Sequence, residues 1–158
     1  MENFLRTAVK YTMKIILISC VSQKEYIGEG KTLPAKDLYI STLFKKAWSY
    51  ANKLNPDKIY ILSAKYGLLS PEKPIGYYNE TLLKYPANKQ KEWADNVLSQ
   101  LKKEGCNLED DEFMLLAGKT YYKYLLGNNG IKNYELPYNG LKGIGFILNF
   151  LTEKLKQK

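Results

Sequence analysis

Lys14-Ile15-Ile16-Leu17-Ile18-Ser19-Cys20 is the stretch that decides the fold. A short aliphatic run closed by polar residues reads as a strand buried on both faces. Leu17-Ile18-Ser19-Cys20 also has the look of a lipoprotein cleavage box. The apolar run Ile15 to Ile18 is far shorter than the roughly 7–15 residues of an export signal, so the strand reading prevails.

Working outward, strand and helix signals alternate. Residues 20–36 form a polar loop. From Asp37, a good N-cap, the apolar positions Ile40, Leu43, Phe44, Ala47, Trp48, Ala51 and Leu54 recur at helical spacing, and Asn55-Pro56 ends the helix. Lys58 to Leu62 is a second strand, and 63–79 a long loop with Gly67, Pro71, Pro74 and Gly76. A helix is expected around Glu80–Lys84 and another from about Ala87 to Glu104. Phe113 to Ala117 is a third strand, Lys119 to Leu126 a short helix, and Ile131 to Leu136 a fourth strand. Ile144, Ile147, Leu148, Leu151 and Leu155 build a C-terminal helix.

This order predicts a single α/β domain: a mainly parallel sheet of about four strands, flanked by helices in three layers. It covers residues 13–158, with 1–12 as an N-terminal extension and Met13 as an alternative start. No apolar run nears the roughly 18 residues of a membrane span. The expectation is a soluble, cytoplasmic protein with no membrane partner, its two cysteines, Cys20 and Cys106, remaining free thiols.

The 158 residues carry 24 Lys and Arg against 16 Asp and Glu, a net charge of +8 that favours anionic partners, nucleic acid or nucleotide first among them. Fourteen tyrosines could stack on bases or cap the core. The absence of histidine excludes Ser-His and Cys-His nucleophiles, a histidine base and histidine-containing zinc sites. No metal or cofactor is expected.

In a parallel sheet, ligands bind beyond the carboxyl ends of the strands. The polar segments Ser19–Lys24, Ser63–Gly67, Gly118–Tyr122 and 137–143 lie there. Gly118-Lys119-Thr120 is not a phosphate loop, because Phe113 stands where a glycine is required. Lys24 and Lys65 can bind phosphate or act as amine nucleophiles. Cys20 reads as a thiolate beside Lys24 or as a small buried hydrophobe. Asp37 and Glu80 read as acid–base groups or as helix caps. Tyr39, Tyr66 and Tyr78 can donate hydrogen bonds or stack on a ring. Ser19, Lys24, Ser63, Lys65, Tyr66 and Gly118 are expected to line one concave pocket, with Gly67 and Gly118 letting backbone approach a ligand.

Leu62-Ser63-Ala64-Lys65-Tyr66-Gly67-Leu68-Leu69-Ser70-Pro71, with Tyr78 seven residues on, resembles a landmark of the YaaA-type peroxide-stress proteins. Ser19 through Lys24 and Leu116-Ala117-Gly118-Lys119-Thr120-Tyr121-Tyr122 resemble two further segments of that family. A closer similarity is to a small uncharacterised bacterial and phage family, carried in order by Ser19-Cys20, Lys24, Ala35 to Phe44, Leu62 to Leu69 and Gly140 to Gly145. Cys20, Lys24, Tyr39 and Ser41 are weakly similar to the archaeosine synthase signature. The YaaA-type resemblance implies association with DNA and action at a base or N-glycosidic bond. Lys24, Lys65, Asp37 and Cys20 are then the catalytic candidates. Ser41, Lys119 and Tyr122 join Ser19, Tyr39, Ser63, Tyr66, Gly67, Tyr78 and Gly118 as binding candidates. The alternatives are a non-catalytic DNA-binding stress or phage-defence module, or a nucleotide or nucleotide-sugar enzyme.

Overall fold

The computed structural model describes residues 11–19 and 24–158. Strand β1 (Lys14–Ser19) stands in the middle of a five-stranded sheet. The chain continues through β2 (Leu33–Pro34), the single turn α1 (Ala35–Leu38) and α2 (Thr42–Lys53) to β3 (Lys58–Ser63), parallel to β1. A hairpin returns it as β4 (Gly67–Leu69), antiparallel to β3. Next come β5 (Pro74–Ile75), a 3-10 turn at Leu82–Lys84 and α3 (Ala87–Lys103). β6 (Glu112–Leu116) pairs parallel with β1 on its other side. α4 (Lys119–Tyr122), β7 (Tyr134–Glu135, parallel to β6) and α5 (Ile144–Lys156) complete the chain. The sheet order is β4-β3-β1-β6-β7, and β2 pairs with β5 in a separate ribbon.

The pleat divides the strands between two cores, because successive side chains point to opposite faces. Ile15, Leu17, Tyr60, Leu62, Phe113 and Leu115 join Ala94, Val97 and Leu101 of α3. Ile16, Ile18, Ile61 and Leu116 join Phe44, Ala47 and Ala51 of α2 and Leu151 of α5. A three-layer α/β/α arrangement results. Burial on both faces is why β1 reads as an unbroken aliphatic run. Truncating a fully buried residue such as Leu17 to Ala would cost about 2–5 kcal/mol.

Two expectations change here. Asp37 does not cap the long helix. It is exposed within α1, and Ser41 is the cap of α2, its Oγ accepting the Phe44 N–H at 3.1 Å. The break falls at Tyr39, which turns extended (φ −88°, ψ 114°), pairs with Lys24 in an isolated bridge and is itself buried. Residues 63–79 are not one long loop, because they contain β4 and β5. Gly67 makes that hairpin possible: its φ is +73°, and a Cβ there would collide with Gln100 Oε1.

The expected extension is partly tied down. The Tyr11 hydroxyl donates to Asp57 Oδ1 (2.6 Å), while Asp57 Oδ2 accepts the Lys14 N–H (2.8 Å). Among the described residues no helix is long and apolar enough to cross a membrane.

Candidate functional site

Register fixes where the strands end. Ser19 pairs with Leu62, and Ile18 with both Ile61 and Leu116, so β1, β3 and β6 finish at one level of the sheet edge. Ser63, the last residue of β3, is fully buried there and is held by three contacts. Its Oγ accepts the Tyr66 N–H (3.1 Å), which closes the hairpin turn. Its carbonyl accepts the Trp93 indole N–H from α3 (2.8 Å). Its Oγ also lies 2.7 Å from the Tyr78 hydroxyl, which is 2.5 Å from that of Tyr39. Tyr39, Tyr78 and Ser63 thus form a buried row of three hydroxyls, on the α2 side of the sheet.

Two ammonium groups stand over this row. Lys24, placed by its bridge to Tyr39 and by the Glu25 N–H bond to the Leu38 carbonyl (2.8 Å), has Nζ 4.4 Å from the Tyr78 ring centroid and 6.0 Å from that of Tyr39. Lys65, on the hairpin, has Nζ 5.3 Å from the Tyr66 centroid and 5.9 Å from that of Tyr78. Tyr66 meets Tyr78 edge-on at 5.6 Å. Among the described residues no carboxylate ion-pairs with either lysine. A ring face attracts a cation by roughly 0.5–2 kcal/mol but leaves its N–H donors unused. The arrangement can therefore grip an anion between two point charges, beside hydroxyls able to pass a proton.

Lys24, Tyr39, Ser63, Lys65, Tyr66 and Tyr78 are brought together. Ser19 ends its strand at the same edge but shares the pleat face of its partner Leu62, the α3 face, opposite to Ser63. Gly118, Lys119 and Tyr122 follow β6 at this edge too. Gly118 and Lys119 are exposed, while Tyr122 packs on the α3-side core. Gly67 brings backbone close to Gln100 rather than to open space. Ser41 is occupied as a cap. Asp37 is exposed beside Lys36, which ion-pairs with Glu72 at 2.8 Å. Glu80 accepts the Tyr85 hydroxyl at 2.7 Å. Cys20 lies outside the described residues. Trp93 joins the site through its bond to Ser63, although an indole on the apolar face of an amphipathic helix reads as core.

One hollow, lined by Lys14, Leu54, Pro56, Glu112, Met114 and Glu135, opens at the amino ends of the strands, on the opposite edge. It brings none of the candidate residues together.

The fold and this edge define a class: a three-layer α/β domain with paired lysines and buried tyrosines at the carboxyl ends of its parallel strands. Within that class the chain belongs to the family of unknown function DUF6884, whose model matches residues 15–153, from β1 into α5. No curated protein and no solved structure matches the chain.

Proposed function

We propose that this chain is a nucleic-acid- or nucleotide-acting enzyme that works at a base or its N-glycosidic bond, on the Lys24–Lys65–Tyr78 edge. The observation that carries the reading is the pair of lysines over a buried tyrosine, with no carboxylate partner among the described residues. A phosphate is the anion that two such point charges suit. The segment from Leu62 to Tyr78, which resembles the YaaA-type landmark, supplies Ser63, Lys65, Tyr66 and Tyr78. The net charge of +8 supports the same class of ligand.

One lysine would hold the phosphate and the other would serve the departing base. The C1′–N bond breaks with its electron pair on the base nitrogen, and an ammonium N–H supplies the proton that nitrogen takes up. Water adds at C1′ and returns a proton to the amine. Half-buried Tyr66 offers a ring to stack on, whereas Tyr78, at 5% exposure, contributes its hydroxyl rather than its face. A base inside a duplex would have to be extruded or already unpaired.

The test is a panel of modified-base oligonucleotides and nucleotides incubated with pure protein, with free base read by mass spectrometry. Base release that is lost in Lys24→Ala or Lys65→Ala supports the reading. No release together with no binding of any panel member would overturn it. The described part of the cluster holds no carboxylate, which favours a second reading, a nucleic-acid-binding module without catalysis. That reading expects salt-dependent binding and no released base. Action in the cytoplasm belongs to either reading.

A further inference from the structure

A second charged region lies on the α3 side of the same edge. Residues 83–91 and 119–124 contain five lysines, Lys84, Lys89, Lys91, Lys119 and Lys123, and no carboxylate. The fold joins the two segments, since α4 packs against both the 3-10 turn and α3. All five lysines are exposed, and none forms an ion pair among the described residues. Three stand on tyrosine rings instead. Lys89 Nζ is 5.4 Å from the Tyr85 centroid, and Lys91 and Lys123 are 5.5 and 5.1 Å from that of Tyr124. Glu80 accepts the Tyr85 hydroxyl, and Glu92 and Asp95 stand three and four residues after Lys89 and Lys91 on α3, yet among the described residues neither ion-pairs with them.

A face meant only for water would pair such lysines with carboxylates along the helix. Here the chain alternates exposed ammonium groups with half-buried aromatic rings, the combination that suits a phosphate backbone carrying unstacked bases. Trp93 ties this face to the candidate site, because its indole donates to the Ser63 carbonyl while its ring meets Tyr121 of α4 edge-on at 5.7 Å. We infer that the face formed by the 3-10 turn, the start of α3 and α4 binds single-stranded nucleic acid, with Tyr85 and Tyr124 as stacking surfaces and the five lysines on phosphates. The inference names a polymer as the partner of the proposed enzyme, yet it stands on residues outside the Lys24–Lys65 cluster.

Fluorescence anisotropy of the full chain with labelled 20-mers of thymidine and of uridine, and with a 20-base-pair duplex, tests it. Single strands should bind more tightly than duplex, and the two homopolymers separate DNA from RNA preference. Lys91→Glu with Lys123→Glu should weaken single-strand binding at least about tenfold and make the log–log salt slope shallower by about 1.4, or about 0.7 per lost phosphate contact. The same charge change at the far end of α3, Lys102→Glu with Lys103→Glu, should leave affinity within about twofold. Tyr124→Leu, or Tyr85→Leu if the first variant melts early, should cost at least about fivefold with the slope unchanged. Equal losses from both charge swaps, duplex binding as tight as single-strand binding, or no effect of either tyrosine variant would overturn the inference. Lys24→Ala and Lys65→Ala report on the proposed reaction instead. Base release lost with polymer binding retained supports both ideas, and polymer binding without any base release defeats only the reaction.

Discussion

The hydroxyls of Tyr39 and Tyr78 meet 2.5 Å apart, joining the break between α1 and α2 to the end of the β3–β5 segment. Because Ser63 Oγ lies 2.7 Å from the same Tyr78 hydroxyl, one phenol group connects two parts of the chain to the sheet edge. The ring that Lys24 and Lys65 flank is thereby fixed in place by its own hydroxyl.

Tyr78→Phe takes a partner from two buried hydroxyls at once. Tyr39 is 1% exposed and Ser63 not at all, so water cannot readily replace what is lost. The expected destabilisation is about 1–3 kcal/mol, read by urea unfolding. Tyr66→Phe, which removes a half-buried hydroxyl with no hydrogen bond among the described residues, should stay within about 0.5 kcal/mol of the parent. Equal costs for the two would show that the hydroxyl row contributes nothing.

Lys24→Ala and Lys65→Ala should each weaken binding of a phosphate-bearing nucleotide by about tenfold, since a hydrogen bond to a charged group contributes roughly 1.5–3 kcal/mol. Titration calorimetry at low salt is the measurement. Lys65 is exposed and Lys24 half-buried, so stability should fall by no more than the lost ring attraction, about 0.5–2 kcal/mol. Unchanged affinity in both variants would remove the anion site.

Gly67 and Gln100 should behave as a coupled pair. Gln100 Oε1 accepts the Leu68 N–H (2.8 Å), and its Nε2 donates to the Tyr66 carbonyl (3.2 Å). A methyl group at 67 displaces that amide and also forces a side chain onto a φ of +73°. Gly67→Ala should cost about 2–4 kcal/mol. In a Gln100→Ala background the collision is gone and only the backbone strain remains, so the cost should fall by at least about 1 kcal/mol. Strict additivity in unfolding experiments would mean that the collision relaxes without loss.

The sheet was legible because its three long strands are buried on both faces. Lys14 to Ser19 reads as the whole of β1, and the aliphatic runs of the second and third strands match β3 and β6 within a residue at either end. β4 escapes sequence reading because it has three residues and opens on a glycine; its backbone is held by Gln100, far along the chain. β2 and β5 each contain a proline, which sequence reading assigns to loops. Helical spacing that runs unbroken through Ile40 points to Asp37 as the cap, whereas burial of Tyr39 interrupts the helix and hands the cap to Ser41. For the site, strand ends indicated Ser63 and Lys65. Pairing of Tyr39 with Tyr78 is a long-range contact that spacing along one chain does not encode. Asp37 and Gly67 fitted the site chemically, but the structure spends the first on an exposed turn and the second on a hairpin.

Tyr50, Tyr60 and Tyr138 provide the last expectation, at alkaline pH. Burial pushes all three phenols above their ordinary value near 10; for Tyr60 the neighbouring Cys106 and Glu104 add to the effect, and for Tyr50 so does Glu135. The folded chain therefore keeps protons that the unfolded chain releases. A raised value stabilises fully below the unfolded one and is lost as pH climbs through it toward the folded one. Stability should hold to about pH 9 as far as these groups are concerned. It should then fall above about pH 10, by up to roughly 1.4 kcal/mol per pH unit for each phenol ionised only when unfolded. Urea unfolding of the parent and of Tyr60→Phe between pH 8 and 11 measures this, and comparing the two cancels the lysines that titrate in the same range. Tyr60→Phe also loses the 3.1 Å bond to Glu104, an offset that appears already at pH 8. The alkaline slope of the variant should be shallower by about one proton, and parallel slopes would show that Tyr60 releases its proton as readily in the folded chain as in the unfolded one.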